Sequence, residues 1–161
     1  MSKIKQPNNE AFIAGALHVR LQWSASFTQD MDARLAAVQR VVDSECLRRM
    51  APYTPFRTGA LEHSATLGTQ IGSGKIVQAT PYARYLYYGE VYGPNIPIRE
   101  NGEIIGFWSP PHKEPTGRPL QYDTTAHPLA GPHWFDRMKA DHLPAIQRAA
   151  QQAAKGGSSA K

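Results

Sequence analysis

The sequence predicts a mixed fold of helices and short strands, and three patterns carry that prediction. Apolar residues recur every three or four positions between residues 28 and 50, which is the spacing of one helix face. Polar and apolar residues alternate from His18 to Trp23, which is the spacing of a strand. Two further apolar segments flank Asn101-Gly102, the dipeptide that favours a tight hairpin turn. Long helices and short strands therefore belong to the same chain.

The composition bounds the size of the core. The chain has 161 residues, a length typical of one domain, and only 30 of them are Leu, Ile, Val or Phe. Thirteen Gly and thirteen Pro predict long irregular segments. We therefore expect a single folded domain over residues 16–154 that buries further surface against copies of itself or against partners.

The first residues predict an arm followed by a strand. Met1 to Asn9 is polar and contains Pro7, so we expect residues 1–15 to form a flexible arm. The strand follows at His18–Trp23, with Val19, Leu21 and Trp23 on one face because side chains alternate along a strand.

A long helix is predicted next. Thr28 or Asp30 can cap the exposed amides at its start, and Pro52 ends it because proline lacks the amide donor and crowds the preceding turn. The apolar stripe of this helix comprises Met31, Leu35, Val38, Val42, Cys46 and Met50.

The middle of the chain predicts two more strands and a short helix. Leu61–Leu67 and Lys75–Ala79 alternate, and Gly72-Ser73-Gly74 between them favours a turn. Thr80-Pro81 is a signal for the start of a helix, and Gly89 is a signal for its end. A short helix is therefore expected between them.

Residues 94–132 hold eight of the thirteen prolines, a density that excludes a buried helix. Within them, Ile96–Glu100 and Glu103–Trp108 flank Asn101-Gly102, whose residues tolerate the positive φ angles of a type I′ turn. We expect residues 91–133 to contain a projecting β-hairpin followed by an extended Pro-rich loop.

A second helix is predicted from Trp134 to Ala154, because its last turns are rich in alanine. Pro144 is expected to kink or restart it, and residues 155–161 read as a disordered tail. The side chains expected to face the core are Phe135, Met138, Leu143 and Ile146.

Candidate catalytic and metal-binding groups match no recognised pattern. Asp123, His127 and His133 lie close in sequence, but their spacing fits no zinc signature, and loop histidines bonded to backbone or water are the favoured interpretation. Ser64 could be combined with His63 or His133, but no G-x-S-x-G motif presents a nucleophile. The same holds for Gly72-Ser73-Gly74-Lys75, which lacks the spacing of a phosphate-binding loop. The sequence predicts no catalytic residue, no metal and no cofactor.

The formal net charge of +5 is compatible with contact to DNA. Lys and Arg are scattered along the chain, however, and no basic run interleaved with aromatics forms a stacking platform. The single Cys46 cannot form an intrachain disulfide and is interpreted as a small buried apolar residue. Because no apolar run approaches the roughly 18 residues of a membrane helix, we expect a soluble protein made in a cytoplasm, without a membrane partner.

Two stretches are the most informative for function. In Tyr53–Ser64, Pro55 fixes one φ angle and Gly59 permits a bend before Leu61. A cluster of tyrosines begins within Ala79–Gly89. One face of a fold cannot bury all of these rings, and tyrosine is enriched at contacts between chains. The residues expected at subunit or partner interfaces are Pro55, Thr58, Gly59, Leu61, Tyr82, Tyr85, Tyr87, Tyr88, Tyr92, Asn101, Gly102 and Trp108.

These stretches carry a resemblance. Pro55-x-x-Thr-Gly-x-Leu-x-x-Ser64, then Tyr82-Ala-x-Tyr-Leu-x-Tyr-Gly89, then His133-Trp134-Phe135 before an Ala-rich helix, resembles the minor capsid or tail-completion family of long-tailed bacteriophages. The resemblance covers roughly residues 28–154. It implies an α+β fold, in which a twisted antiparallel sheet packs with a long N-terminal helix and a C-terminal helix.

The resemblance also implies a non-enzymatic subunit of the phage neck, located in the virion and in the host cytoplasm during assembly. Such subunits form rings, often six-fold, that join the head portal complex to the tail tube. The implied partners are copies of the chain, the stopper or adaptor ring on one side, the tail terminator or tail tube on the other, and viral DNA bound without sequence preference. A tail terminator, a head-closure stopper and a DNA-contacting protein remain alternatives.

Overall fold

The structure, a computed structural model, describes residues 4–110 and 112–156 and confirms the α+β class. A short 3₁₀ turn, Ala51–Tyr53, follows the first helix. The helices are α1 Phe27–Met50, α2 Ala60–Gly68, α3 Ala83–Tyr88 and α4 Trp134–Gly156. The strands are β1 Glu10–Ala14, β2 Leu17–Leu21, β3 Glu90–Gly93, β4 Ile96–Glu100, β5 Glu103–Trp108 and β6 Glu114–Pro119.

The strands form three separate two-stranded antiparallel sheets, β1–β2, β3–β6 and β4–β5. The resemblance implied one twisted sheet, and that arrangement is wrong within the described residues. The reason lies in the middle of the chain, where the two segments expected to form strands adopt other conformations.

The segment Leu61–Leu67 is helix α2 and not a strand. Leu61 and Ala65 are four residues apart and both are buried, which is the helical period, whereas Leu67 is 86% exposed. Lys75–Ala79 consequently has no strand to pair with and carries no regular secondary structure. The alternation in both segments was too short to distinguish the two-residue period of a strand from the 3.6-residue period of a helix.

The internal contacts divide the described chain into two compact units. Unit 1 contains residues 4–46, 69–76 and 143–156, and unit 2 contains residues 47–68 and 77–142. The domain bounds expected from the sequence stay a prediction. The apolar core of unit 2 comprises Met50, Tyr53, Leu61, Ala65, Ala83, Ala130, Trp134 and Met138, whereas the buried residues of unit 1 are Asp43, Thr69 and Ile146.

The N-terminal arm contains more structure than expected. Residues 10–14 form β1, which pairs with β2 so that Phe12 lies opposite Val19. The two strands are joined at Gly15, whose φ of +63° suits a tight turn. The predicted strand at His18–Trp23 is confirmed as β2, although it ends at Leu21, and the first three residues of the arm lie outside the described residues.

Helix α1 confirms the predicted long helix to within one residue. Within the predicted apolar stripe of this helix, Met50 is buried, but Leu35 remains 44% exposed. Asp43 is instead the most buried residue of unit 1, at 2% exposure. Its carboxylate accepts hydrogen bonds from Gln39 Nε2 at 2.7 Å and from the backbone amides of Gly72 and Gly74 at 2.7 and 3.1 Å. The predicted Gly-rich turn is therefore confirmed, and its amides bind a carboxylate of the same unit.

Helix α3 begins at Ala83, two residues after the expected first helical residue Pro81, and ends where predicted. Gly89 has a φ of +74° and its amide donates to the Tyr85 carbonyl, which closes the helix.

Helix α4 runs from Trp134 and continues through Pro144, so the expected restart does not occur. Trp134 and Met138 are buried at 1% and 0% exposure, but Leu143 is 40% exposed and does not belong to the core. The expected tail is helical at Lys155 and Gly156, and residues 157–161 lie outside the described residues.

A polar cluster accompanies the core of unit 2. The buried Tyr53 hydroxyl donates to Asp141 Oδ2 at 2.6 Å and lies 3.3 Å from His142 Nε2. The hydrogen bond to Asp141 is the main cause of a raised Tyr53 pKa. The guanidinium of Arg137 lies 5.7 Å from the Tyr53 ring centroid, within reach of a cation–π contact. The cluster links the 3₁₀ turn to helix α4.

Candidate interface groove

A groove of about 750 Å³ opens in unit 2, and three segments line it. The first is the loop between the 3₁₀ turn and α2, the second is α3 with the residue before it, and the third is a segment shortly after β6. The groove is lined by Pro55, Phe56, Arg57, Thr58, Gly59, Ala60, Leu61, Tyr82, Leu86, Gln121, Tyr122 and Asp123. Two of the three motifs that carry the sequence resemblance, Pro55–Ser64 and Tyr82–Gly89, thus meet in one place.

The first wall is held in shape by contacts on its inner side. The Thr54 hydroxyl donates to the Met50 carbonyl at 3.1 Å, which ends the helical turn. His127 Nδ1 lies 2.8 Å from the Thr54 carbonyl oxygen, and the His127 ring packs on Phe56 with centroids 4.9 Å apart. Gly59 then turns the chain with a φ of +77°, where a Cβ would come within 3.1 Å of the His63 ring. Small size and positive φ are both required at Gly59.

The second and third walls are bonded to each other. The Tyr122 hydroxyl donates to the Leu86 carbonyl, and the Leu120 amide donates to the Gly89 carbonyl at 2.8 Å. At Gly89 a Cβ would lie 2.9 Å from Pro132 Cβ and 3.2 Å from the Tyr122 hydroxyl. The closeness of these two segments therefore depends on glycine at position 89.

This packing predicts a large cost for Gly89→Ala. We expect it to lower the free energy of unfolding by about 3 kcal/mol, because the alanine must adopt a left-handed conformation and also displace Pro132. Gly102→Ala is the matched control: its φ is +87°, but no atom lies within 4 Å of the new methyl group. It should cost about 1 kcal/mol. Urea unfolding followed by circular dichroism measures both, and equal losses would contradict the steric argument.

The groove has an apolar and aromatic lining with two exposed charged residues, Arg57 and Asp123. The Thr125 amide donates to Asp123 Oδ1 at 2.9 Å and holds the pKa of that carboxyl below its usual value. Burial raises the pKa of the Tyr122 phenol. The groove therefore offers a cation, an anion and neutral aromatic rings to whatever enters it.

The remaining tyrosines divide into packed and exposed groups. Tyr87 contacts the Trp134 ring edge-on at 4.8 Å, and its hydroxyl donates to Asp136 Oδ2 at 2.6 Å. Tyr85 packs on Tyr92, with centroids 4.7 Å apart. Tyr88 is 56% exposed. The interpretation that one face cannot bury all of these rings is confirmed.

The environment of Tyr87 predicts a loss of stability in strong alkali. Burial, followed by the hydrogen bond to Asp136, raises the Tyr87 pKa from 10.0 to about 12. Between pH 10 and 12 the unfolded chain loses this proton while the native chain retains it, so stability is complete below pH 10 and falls as pH rises towards 12. Urea unfolding across this range should show a smaller fall for Tyr87→Phe than for the unsubstituted protein. Tyr82→Phe, at an exposed site, should retain the full fall, and an unchanged fall in Tyr87→Phe would contradict the assignment.

The structure brings some of the expected interface residues together and not others. Pro55, Thr58, Gly59, Leu61 and Tyr82 line the groove. Outside it lie Tyr85, Tyr87, Tyr88 and Tyr92, and also the hairpin residues Asn101, Gly102 and Trp108. Their roles at an interface stay predictions.

The sequence prediction missed Leu86 and the third wall, Gln121–Asp123. Leu86 stands inside the second motif, so the motif itself was a signal. Nothing in the sequence around Tyr122 indicates that it packs beside residues some 36 positions earlier.

Residues considered for catalysis or metal binding have other contacts. The Ser64 hydroxyl donates to the Leu61 carbonyl at 2.7 Å, and His133 Nδ1 lies 3.9 Å from Asp136 Oδ2. Across residues 4–110 and 112–156, no three His, Cys, Asp or Glu side chains come together as a metal site. Cys46 is half-buried, and burial is the main cause of its raised pKa. No helix in the described part of the chain has the length and apolarity needed to cross a membrane.

The two motifs that form the groove lie inside a longer match to known proteins. The family described as "Minor capsid protein" matches residues 18–154. The chain belongs to this minor capsid protein family of bacteriophages. No curated protein matches the chain, and no solved structure does.

Membership makes this chain a structural component of a phage virion. The match includes α1, the groove and most of α4, so the groove of this minor capsid protein lies wholly within the matched residues. Residues 1–17, which include strand β1, lie before the matched residues.

Proposed function

We propose that this minor capsid protein is a ring-forming subunit of the phage neck, which joins the head portal complex to the tail tube around the DNA channel. The observation that carries the proposal is the amount of apolar surface that the chain leaves exposed. On the β4–β5 hairpin, six large apolar side chains are between 45% and 64% exposed: Ile96, Ile98, Ile104, Ile105, Phe107 and Trp108. A virion protein with such a surface is completed by neighbouring chains.

A second exposed apolar surface supports the view that the chain contacts more than one kind of neighbouring subunit. Phe12, Leu17 and Leu21 lie on one face of the β1–β2 hairpin and are 47% to 61% exposed. This hairpin belongs to unit 1, whereas β4–β5 and the groove belong to unit 2. A subunit between a portal-side ring and a tail-side ring needs separate surfaces for its own copies and for the rings above and below. On this proposal the protein has no enzymatic activity. Its net charge of +5 favours contact with the phosphates of the DNA that passes through the ring, and this contact does not depend on the DNA sequence.

A phage that carries a stop codon in this gene tests the proposal. We expect infected cells to accumulate DNA-filled heads and separate tails, both visible by electron microscopy, and to yield joined particles when the wild-type chain is supplied in trans. Gold label on an epitope-tagged copy should then lie at the head–tail junction. Label distributed over the head surface, or normal particles without the protein, would overturn the neck assignment.

The same mutant phage distinguishes a neck subunit from a tail terminator and from a head-closure stopper, and a DNA-binding measurement tests the third alternative. Loss of a tail terminator leaves tail length uncontrolled, and loss of a head-closure stopper leaves heads that release their DNA. A dedicated DNA-binding protein would bind DNA as a monomer with an affinity that falls steeply as salt rises, whereas a channel-lining ring subunit would bind weakly as a monomer.

A further inference from the structure

The β4–β5 hairpin exposes apolar side chains on both of its faces. Its register places Ile96 opposite Trp108 on one face and Pro97 opposite Phe107 on the other. The strands contact each other far more extensively than either contacts any other element of the described chain. Because a two-stranded hairpin is only marginally stable in water by itself, this one gains stability if a partner covers it.

The hairpin also ends in an unusual arrangement of charge. Glu100 and Glu103 are direct cross-strand partners on either side of the turn, and like charges in that position destabilise a hairpin. The neighbouring Arg99 donates to the Gly102 carbonyl at 3.3 Å. Within residues 4–110 and 112–156, neither glutamate forms an ion pair. The tip therefore presents two carboxylates beside one guanidinium.

The groove has the complementary chemistry. Its lining is apolar and aromatic, and its two exposed charges are one cation, Arg57, and one anion, Asp123. Arg57 forms no ion pair with any described residue. A volume of about 750 Å³ lies within the range of roughly 300–1,000 Å³ typical of binding pockets, so several hairpin side chains can enter.

We propose that the hairpin of one copy seats in the groove of the next copy. Glu100 and Glu103 then face Arg57, Arg99 faces Asp123, and apolar hairpin side chains cover Phe56, Tyr82, Leu86 and Tyr122. The occupant is a second copy of this chain because one sequence supplies both halves of the charge pattern. The contact rests on the ring proposed above and identifies the two surfaces from which it is built.

This contact is heterologous, since each copy uses its hairpin on one neighbour and its groove on the other. Repetition of such a contact closes into a ring when the rotation between copies permits it. Every subunit then buries one hairpin and fills one groove.

A charge exchange tests the pairing by sedimentation velocity over a wide range of protein concentration. Arg57→Glu alone, and Glu100→Lys with Glu103→Lys, should each weaken self-association about tenfold, because like charges then meet at the contact. The chain that carries all three substitutions should recover association to within about threefold of the wild type. Arg34→Glu, an exposed helix position, is the control and should leave association unchanged. Lack of recovery in the triple variant, or a wild-type chain that stays monomeric throughout, would overturn the proposal.

A mixing experiment tests the heterologous geometry. Phe107→Ser with Trp108→Ser removes the hairpin contact but leaves a groove, whereas Leu86→Asp removes the groove but leaves a hairpin. Each variant alone should be monomeric, and an equimolar mixture should form a dimer and nothing larger. Circular dichroism confirms that each variant is folded. If one variant fails to fold, Cys46→Ser with Arg57→Cys and Glu103→Cys replaces it, and should form a disulfide-linked ladder under oxidation.

A monomeric mixture, and the absence of a ladder from the cysteine variant, would overturn the proposal. These measurements concern self-association alone, so their failure leaves the location of the protein at the neck to be decided by the phage experiment. Conversely, if the oligomer forms by this contact but is located elsewhere in the virion, the contact proposal stands and the neck proposal is overturned.

Discussion

Asp43→Ala is expected to lower the free energy of unfolding by about 3 kcal/mol. The buried carboxylate accepts three hydrogen bonds, two of them from backbone amides in the turn at residues 72–74. Alanine would leave those amides without an acceptor, at a cost of roughly 1–3 kcal/mol for each group that stays buried. Urea unfolding measures the change.

The neighbouring Ser44 provides the control for Asp43. It lies on the exposed side of α1, so Ser44→Ala should change stability by less than about 0.5 kcal/mol. Asp43→Asn keeps an acceptor oxygen but loses the charge, and should fall between the two. A loss below about 1 kcal/mol for Asp43→Ala would show that the turn at residues 72–74 is held by other contacts.

Trp134→Ala is expected to cost about 4 kcal/mol, because it empties the largest buried site of unit 2. Its indole Nε1 donates to Gln78 Oε1 at 3.0 Å, and its ring contacts Tyr87. The substitution removes apolar contact and also leaves the Gln78 oxygen without this donor. Chemical unfolding should show a lower midpoint with the slope retained.

A second tryptophan provides the matched control. Trp108 is 51% exposed on the hairpin, so Trp108→Ala should cost less than about 1 kcal/mol in the isolated chain. Equal losses at the two positions would mean that burial in unit 2 does not determine the effect.

Several elements could be predicted because their signals are local. The spacing of apolar residues from Met31 to Met50 identified α1, and Pro52 identified its end. Asn101 and Gly102 adopt φ values of 50° and 87°, as the hairpin turn required. Gly89 ended α3 for the same conformational reason. In each case a few neighbouring residues determine the backbone.

The failures occurred where distant residues decide the conformation. The sequence of Leu61–Leu67 alternates in the way that is typical of a strand. The burial of Leu61 and Ala65 on one side nevertheless selects a helix. Glu10–Ala14 lies in a segment expected to be flexible, and pairing with β2 makes it a strand. The Leu143 side chain lies at an apolar position of α4 and is nevertheless exposed.

The candidate site shows the same division. The sequence identified the 53–64 and 79–89 stretches separately, from their turn residues and tyrosines. Only the folded chain shows that they line one groove, because the Tyr122 hydroxyl and the Leu120 amide attach a third segment to α3. Spacing along a chain contains no information about such distant hydrogen bonds.

The sequence by itself determined the long helices, the hairpin turn, the end of α3 and the phage family, since these depend on local periodicity, on turn chemistry and on short motifs in order. Tertiary structure alone decided that α2 is a helix, that the strands form three separate pairs and that two motifs share a groove. It also decided that a buried carboxylate, Asp43, holds the Gly-rich turn. The physical reason is that burial and long-range hydrogen bonding choose among conformations that local propensity leaves close in free energy.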